Sequence, residues 1–306
     1  MTSAYGPAVL ICNVRSGKGG VAKVLPDVVA ALEERGVEHE IRLTEHPGHA
    51  IELAREASHD GKRFLVAVGG DGTIHEVVNG MIENDVPIVD EPVMGVISAG
   101  TGSDFIKTFG LPSSPTVAVS HLDGNDSFAI DIGKVVYQEN GDEITRYFPN
   151  IAEVGIGADV VARAQRLPRW LGPTVYLAAF WLVMRKHKVA QVKVDLVDRT
   201  YEGPANNIVV ANCQFFGGGM KIAPKAAPTD GLLDIQVEHA RKREAISIMP
   251  KIFKGEHLPH PDIEEFKRVR CSVESDRPLL IEADGEVLGH TPARFEVLRD
   301  LIRLKV

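Results

Sequence analysis

Phe64-Leu-Val-Ala-Val-Gly-Gly-Asp-Gly-Thr-Ile-His-Glu76 is the stretch that decides how the first half of this chain folds. Its opening apolar run, Phe64 to Val68, is typical of a strand buried on both faces. Three glycines interrupt the run, and apolar residues resume at helical spacing from Ile74 to Ile82. Glycine permits positive φ and lets a ligand approach the backbone closely. The helix that follows offers N–H groups and a positive dipole end, which suit phosphate. Thr73 is placed to cap that helix and to donate to a phosphate oxygen. A strand–helix turn without a ligand could use the same glycines, but such a turn does not require the acid at Asp71. The pattern is not a Walker loop, because no Gly-Lys-Ser/Thr follows four variable residues. Nor is it the Gly-x-Gly-x-x-Gly dinucleotide fingerprint.

The same alternation extends outward. Ala8 to Asn13 and Glu40 to Leu43 read as strands, Gly19 to Arg35 and His49 to Ala57 as helices. Val93 to Ile97 is another buried strand, and Asp104 to Phe109 a short helix. Strand–helix alternation with short links implies a parallel sheet covered by helices, with ligands at the carboxyl ends of its strands. Ser16-Gly-Lys-Gly-Gly20, Gly69 to Thr73 and Gly100-Thr-Gly102 fall at those ends.

Beyond about residue 125 the pattern changes. Phe128–Tyr137, Arg146–Val154, Gln191–Val197, Asn207–Cys213, Leu232–Val237, Val269–Glu274 and Leu279–Ala283 read as strands. Turn signals such as Asn140-Gly141 and Asp230-Gly231 separate them. Helical stretches cover about Ala158 to Val189 and Arg243 to Phe253. The expectation is a nucleotide-binding α/β domain over 1–125 and a mainly antiparallel β-sandwich over 126–306. The last strand is a candidate to return to the N-terminal domain.

A chain of 306 residues is long enough for two domains with real cores. Its net charge of −8 argues against broad nucleic-acid binding. Cys12, Cys213 and Cys271 are widely spaced, odd in number and without zinc spacing; they read as reduced core thiols of a cytoplasmic protein. The first residues read as a strand, not a signal peptide. The most apolar stretch, Leu171 to Met184, contains Gly172 and Pro173 and falls short of the ~20 residues that span a bilayer.

Six motifs in order now become informative: Asn13-Val-Arg-Ser-Gly17, Gly69-Gly-Asp-Gly-Thr73, Gly100-Thr-Gly-Ser-Asp-Phe105, Ala129-Ile-Asp-Ile132, Asp230-Gly-Leu232 and Asp284-Gly-Glu286. Across nearly the whole chain the sequence resembles the bacterial soluble lipid kinases, whose catalytic domain is shared with diacylglycerol and sphingosine kinases. The resemblance implies an N-terminal domain like those of NAD kinase and phosphofructokinase, a C-terminal β-sandwich and an active site in the cleft between them. It implies ATP held by Asn13, Val14, Arg15, Ser16, Gly17, Thr44, Gly70, Asp71, Gly72, Thr73, Ile74, His75, Glu76 and Thr101, with Lys18 and Lys23 as a basic edge. Where the family commonly has Asn in Gly-Thr-x-Asn-Asp-Phe, this chain has Ser103.

A kinase needs a metal to neutralise phosphate charge and a group to orient or deprotonate the attacking hydroxyl. The resemblance assigns Glu286 as general base, although the residues alone read equally as a solvated hairpin acid. It places Mg²⁺ at Asp230 with the carbonyls of Ala227 and Leu232, where the local reading is a turn carboxylate. Asp71 would orient catalytic Mg²⁺ on the phosphates. Asp104 and Asp131 would reach metal through water; a strand-edge salt bridge is the plain alternative for Asp131.

The acceptor implied is a lipid alcohol, diacylglycerol-like or sphingoid-like, as in phospholipid biosynthesis. Arg163, Arg166, Arg169, Arg185, Lys186 and Lys188 flank the apolar Trp170–Met184 segment. That segment reads either as a core helix or as a helix that lines an acyl pocket or makes transient contact with an anionic membrane surface. A peripheral membrane protein and a homodimer are both open. The competing functions are a kinase of a soluble metabolite, with NAD kinase nearest, and a nucleotide-binding regulator without catalysis.

Overall fold

The computed structural model describes residues 4–99, 103–168, 174–240 and 242–306, with the backbone alone at 18, 242, 243 and 245–247. The chain forms two compact units, Met1–Ile132 with Leu298–Val306, and Gly133–Val297.

The first unit alternates strand and helix: β1 (Ala8–Cys12), α1 (Ser16–Glu34), β2 (His39–Leu43), α2 (His49–His59), β3 (Phe64–Gly69) and α3 (Asp71–Met81). The two-residue strands β4 (Ile82–Glu83) and β5 (Val86–Pro87) form a small hairpin. Then come β6 (Val93–Ser98), α4 (Asp104–Phe109) and α5 (Pro115–Ala118). The sheet order is β2-β1-β3-β6, all parallel, and residues 303–304 near the C-terminus pair parallel with β6. Every residue of β1, β3 and β6 is buried. That explains their unbroken apolar runs, since each buried Val, Leu or Phe contributes about 1.5–3 kcal/mol.

The second unit is antiparallel. β7 (Ser127–Glu139) enters it from the first unit. Then follow β8 (Asp142–Phe148), β9 (Ile151–Gly155), α6 (Ile156–Gln165), α7 (Val175–Lys186), β10 (Ala190–Asp195), β11 (Thr200–Ala205) and β12 (Asn207–Ala211). The rest is β13 (Leu233–Glu238), α8 (Lys242–Lys254), β14 (Ile263–Arg268), β15 (Arg270–Ser275), β16 (Leu280–Ala283) and β17 (Glu286–Lys305), whose end belongs to the first unit. One layer runs β14-β13-β12-β9-β16; β10 pairs with β11 and β15. Inward residues of both layers, among them Val154, Val194, Ile208, Ile235, Val273 and Phe295, share one apolar core.

Several sequence expectations need correction. Arg146–Val154 is not one strand, because Pro149-Asn150 separates β8 from β9. Pro supplies no N–H to a ladder. The strands β11 and β14 escaped the sequence reading: β11 contains Gly203 and Pro204, which argue against a strand, and the burial of β14 hardly alternates, so its period-2 signal is poor. α1 begins at Ser16, so the glycine-rich Ser16–Gly20 segment is the first turn of a helix and not a loop. The three cysteines are free and buried. Burial pushes the Cys12 and Cys271 thiols up to about 12. No helix among the described residues is long and apolar enough to cross a membrane.

Candidate active site

In the first unit, parallel register brings four strand ends to one edge. Cys12 sits opposite Leu43 and Val68, and Gly69 opposite Ser98. Backbone bonds continue past the strands: Thr44 N–H donates to Cys12 O at 3.0 Å, Asn13 N–H to Val68 O at 3.0 Å, and Ala99 N–H to Gly69 O at 2.8 Å. Asn13, Thr44 and Gly70 thus lie side by side. Asn13 also shapes the entry to α1, its Oδ1 accepting Arg15 N–H at 3.2 Å and its carbonyl accepting Ser16 N–H at 2.9 Å. Val14, Ser16 and Gly17 are half-exposed, and Arg15 and Lys23 are exposed. Thr101, with Gly100 and Gly102, lies outside the described residues, as does the Lys18 side chain.

The glycine loop does not work as the sequence suggests. None of Gly69, Gly70 and Gly72 has positive φ. Gly69 is required by proximity instead: a Cβ there would stand 2.3 Å from Thr73 Oγ1 and 2.7 Å from Thr73 Cβ. Thr73 is not the cap of α3 either. Gly70 is the N-cap, its carbonyl accepting the N–H of Thr73 and Ile74, and Thr73 is buried in the first turn.

Asp71 has a structural job that a turn alone would not demand. Its Oδ1 accepts Phe105 N–H at 3.1 Å and its Oδ2 accepts Asp104 N–H at 3.2 Å. α4 cannot cap itself, because its N-cap Ser103 is left-handed (φ 52°) and bonds to Ser98 Oγ at 2.5 Å. The carboxylate of Asp71 caps it from another loop and remains half-exposed. A carboxylate has four lone-pair positions, so it can still face a metal or a phosphate-bound water. Asp104 is buried and bonded to Lys107 Nζ at 2.8 Å. Asp131 is buried and accepts Asp300 N–H at 2.9 Å.

Other residues of the expected ATP set face inward. Ile74 and His75 lie on the buried side of α3, and His75 lies against Asn79. Glu76 bridges to the start of α2, its two oxygens accepting Gly48 N–H and Ala50 N–H, each at 3.1 Å. These three hold the scaffold; Gly70, Asp71 and Gly72 are half-exposed, as is Glu76.

In the second unit, Glu286 is exposed at the first position of β17. It pairs with Ala283 across a two-residue turn, Asp284-Gly285, in which both φ values are positive (52° and 89°). Asp-Gly is the favoured sequence for such a turn. The turn is tied down at every residue. Asp284 Oδ1 accepts Ile151 N–H at 3.0 Å and Asn150 N–H at 3.2 Å. Gly285 N–H donates to Glu282 Oε2 at 2.8 Å, and Gly285 O accepts from Gln165 at 3.1 Å. The arrangement fixes the backbone position from which the exposed Glu286 side chain projects.

The expected metal ligands present a different picture. Ala227 O already accepts Thr229 N–H at 2.7 Å and Asp230 N–H at 3.2 Å. Asp230 Oδ1 accepts Leu232 N–H at 3.0 Å, and Asp230 Oδ2 accepts Lys267 Nζ at 2.9 Å. A carbonyl with both lone pairs engaged and a carboxylate paired with an ammonium do not fit a divalent cation.

Sequence reading missed a row of acids across the sheet. Glu282 on β16 lies opposite Glu153 on β9, and Asn207 on β12 opposite Glu238 on β13. Asn207 Nδ2 donates to Glu153 Oε1 at 2.8 Å. Burial raises the Glu153 carboxyl to about 7 and the Glu238 carboxyl to about 8, and it moves Glu282 well above the ordinary range. The legible signal was an acid inside an apolar strand, as in Ile151-Ala-Glu-Val-Gly155.

α7 is a core helix on one face only. It exposes Tyr176, Leu177, Trp181 and Leu182, while Ala179 and Met184 are buried. Phe180 and Met184, with Ile156, Ile248 and Ile252, line a cavity of about 80 Å³ that reaches Glu238. Ligand sites usually hold roughly 300–1,000 Å³, so this cavity is too small for an acyl chain. Trp170 and its neighbours 169 and 171–173 lie outside the described residues.

Residues 7–135 match the diacylglycerol kinase catalytic domain, and residues 150–306 the YegS C-terminal NAD kinase beta sandwich-like domain. A diacylglycerol kinase of Staphylococcus epidermidis is 31% identical over 299 residues, covering 97% of this chain and 91% of that protein. That of Staphylococcus saprophyticus is 30% identical, covering 97% and 94%. A solved diacylglycerol kinase structure from Bacillus anthracis superposes with a TM-score of 0.72 at 22% identity, over 98% of this chain and 96% of that one.

Proposed function

The chain belongs to the diacylglycerol kinase family and is a lipid kinase, and on that footing we propose that it transfers the γ-phosphate of ATP to the hydroxyl of a diacylglycerol, with Glu286 as general base. The observation that carries the base assignment is the hairpin at Asp284-Gly285, braced from Asn150, Ile151, Gln165 and Glu282, which fixes the backbone from which the exposed Glu286 side chain projects. A base needs that kind of placement more than it needs a shifted pKa.

In this reading the nucleotide phosphates lie along the edge formed by Asn13, Thr44 and Gly70–Gly72, where α3 presents its N-terminus. Arg15 and Lys23 add positive charge from α1. Mg²⁺, when bound with the phosphates, supplies charge neutralisation, and Asp71 is the carboxylate suited to orient it. Glu286 accepts the proton of the lipid hydroxyl. The alcohol oxygen then forms its bond to the γ-phosphorus as the bond to the β-phosphate oxygen breaks.

Diacylglycerol is preferred over a sphingoid acceptor because the relatives are named for it. The exposed apolar face of α7, with Arg185 and Lys186 at its end, supports transient docking on an anionic membrane.

A radiolabelled-ATP assay against detergent-dispersed lipids, with NAD as a control, tests the acceptor. Glu286→Gln should lose turnover at least 10²-fold, on the order expected for a general base, while ATP binding survives. Near-normal turnover would remove Glu286 from the mechanism. Labelling of NAD in place of lipid would overturn the acceptor.

A further inference from the structure

β13 and β14 pair antiparallel, and their register sets Asp234 opposite Lys267. Immediately before β13, the turn at Asp230-Gly231 brings a second carboxylate to the same place. Lys267 Nζ therefore meets three oxygens: Asp230 Oδ2 at 2.9 Å, Lys225 O at 3.0 Å and Asp234 Oδ2 at 3.1 Å. The ammonium donates hydrogen bonds to Asp230 Oδ2 and Lys225 O, and Asp234 Oδ2 stands at ion-pair distance without a hydrogen bond of its own. Two of the three oxygens come from carboxylates and one from a backbone carbonyl, a set of hard oxygens of the kind that surrounds Mg²⁺ or Ca²⁺.

We propose that Lys267 is the built-in cation of this turn, and that Asp230, Ala227 and Leu232 bind no divalent metal in this protein. Two observations independent of the ammonium support this. The carbonyl of Ala227 has both lone pairs engaged by the N–H groups of Thr229 and Asp230. The remaining oxygen of Asp230 is held by Leu232 N–H at 3.0 Å. A divalent ion would have to displace the bonds at the Ala227 carbonyl and also sit beside a positive charge. The ammonium ties the turn to β13 and β14 without any metal in solution. The metal demand of phosphoryl transfer is then that of the nucleotide alone.

Thermal unfolding of the nucleotide-free full chain tests this, in EDTA and in millimolar Mg²⁺ or Ca²⁺. The wild-type midpoint should be the same in all three. Lys267→Met, which keeps the stem and removes the charge, should melt about 2–6 °C lower in EDTA and recover part of that loss in Mg²⁺ or Ca²⁺. A Lys267→Met protein as stable as wild type in EDTA, or destabilised and not rescued by either ion, overturns the proposal. If that variant does not fold, wild type and Asp230→Asn decide. A wild-type gain in Mg²⁺ that Asp230→Asn abolishes overturns it. No gain supports it, and so does a gain that survives in Asp230→Asn, since that ion binds elsewhere.

Discussion

The carboxylate of Asp71 accepts the backbone N–H of Phe105 at 3.1 Å, so the acid of the glycine loop caps a helix that begins 33 residues later. That bond joins the ends of β3 and β6, two neighbouring strands. Asp71→Asn keeps the shape and removes the charge from the helix N-terminus. It should cost about 1 kcal/mol of stability, and its turnover should fall at least tenfold. Urea unfolding and lipid phosphorylation on the same preparation separate the two roles. Full turnover with lowered stability would leave Asp71 as a cap alone.

Gly69→Ala places a Cβ 2.3 Å from Thr73 Oγ1. Thr73 is buried and cannot swing away. The substitution should cost about 1–3 kcal/mol, as over-packing does, and weaken ATP binding by displacing the first turn of α3. Isothermal titration with ATP and a denaturant midpoint check both. Gly70, with φ −102°, should tolerate alanine in its backbone, so Gly70→Ala reports the ligand's need for space.

The acid row makes stability depend on pH with a known sign. Burial holds the folded carboxyls of Glu153 and Glu238 at about 7 and about 8, against an ordinary 4.5. The folded protein therefore keeps protons that the unfolded chain releases. Stability is fully present below about pH 4.5 and falls as pH rises through 7 to 8. The loss is on the order of 3 kcal/mol for Glu153. Urea midpoints between pH 5 and 8.5 should decline, and Glu153→Gln should flatten the decline. A midpoint that rises over that range contradicts the assignment.

On α7, Leu177→Glu with Trp181→Glu replaces the two exposed apolar side chains that lie one turn apart. Docking of an interfacial helix rests on buried apolar area plus attraction to anionic lipid. The double variant should lose co-sedimentation with vesicles containing phosphatidylglycerol. It should keep its melting temperature, and also its activity on a short-chain lipid in detergent. Unchanged co-sedimentation would show that this face does not dock.

The loss of a legible signal has physical causes. β3 could be read because a strand buried on both faces is apolar throughout. α7 stayed open between core and surface because hydrophobicity alone does not say which face is covered, and this helix buries Ala179 while exposing Trp181. β14 was missed because its residues alternate poorly. With it went Lys267, whose partners depend on register across two strands. Glu153 and Glu282 are far apart in sequence and become neighbours only through the pairing of β9 with β16.

For the glycine loop, the sequence by itself determined that a buried strand ends and a helix begins, because local apolar periodicity fixes both. It also determined that Asp284-Gly285 is a tight turn with Glu286 beyond it, because Asp-Gly suits two successive positive φ values. Only the tertiary structure decided why Gly69 is glycine, what Asp71 holds and which cation Asp230 meets. Each of those depends on distances between segments that chain order does not set.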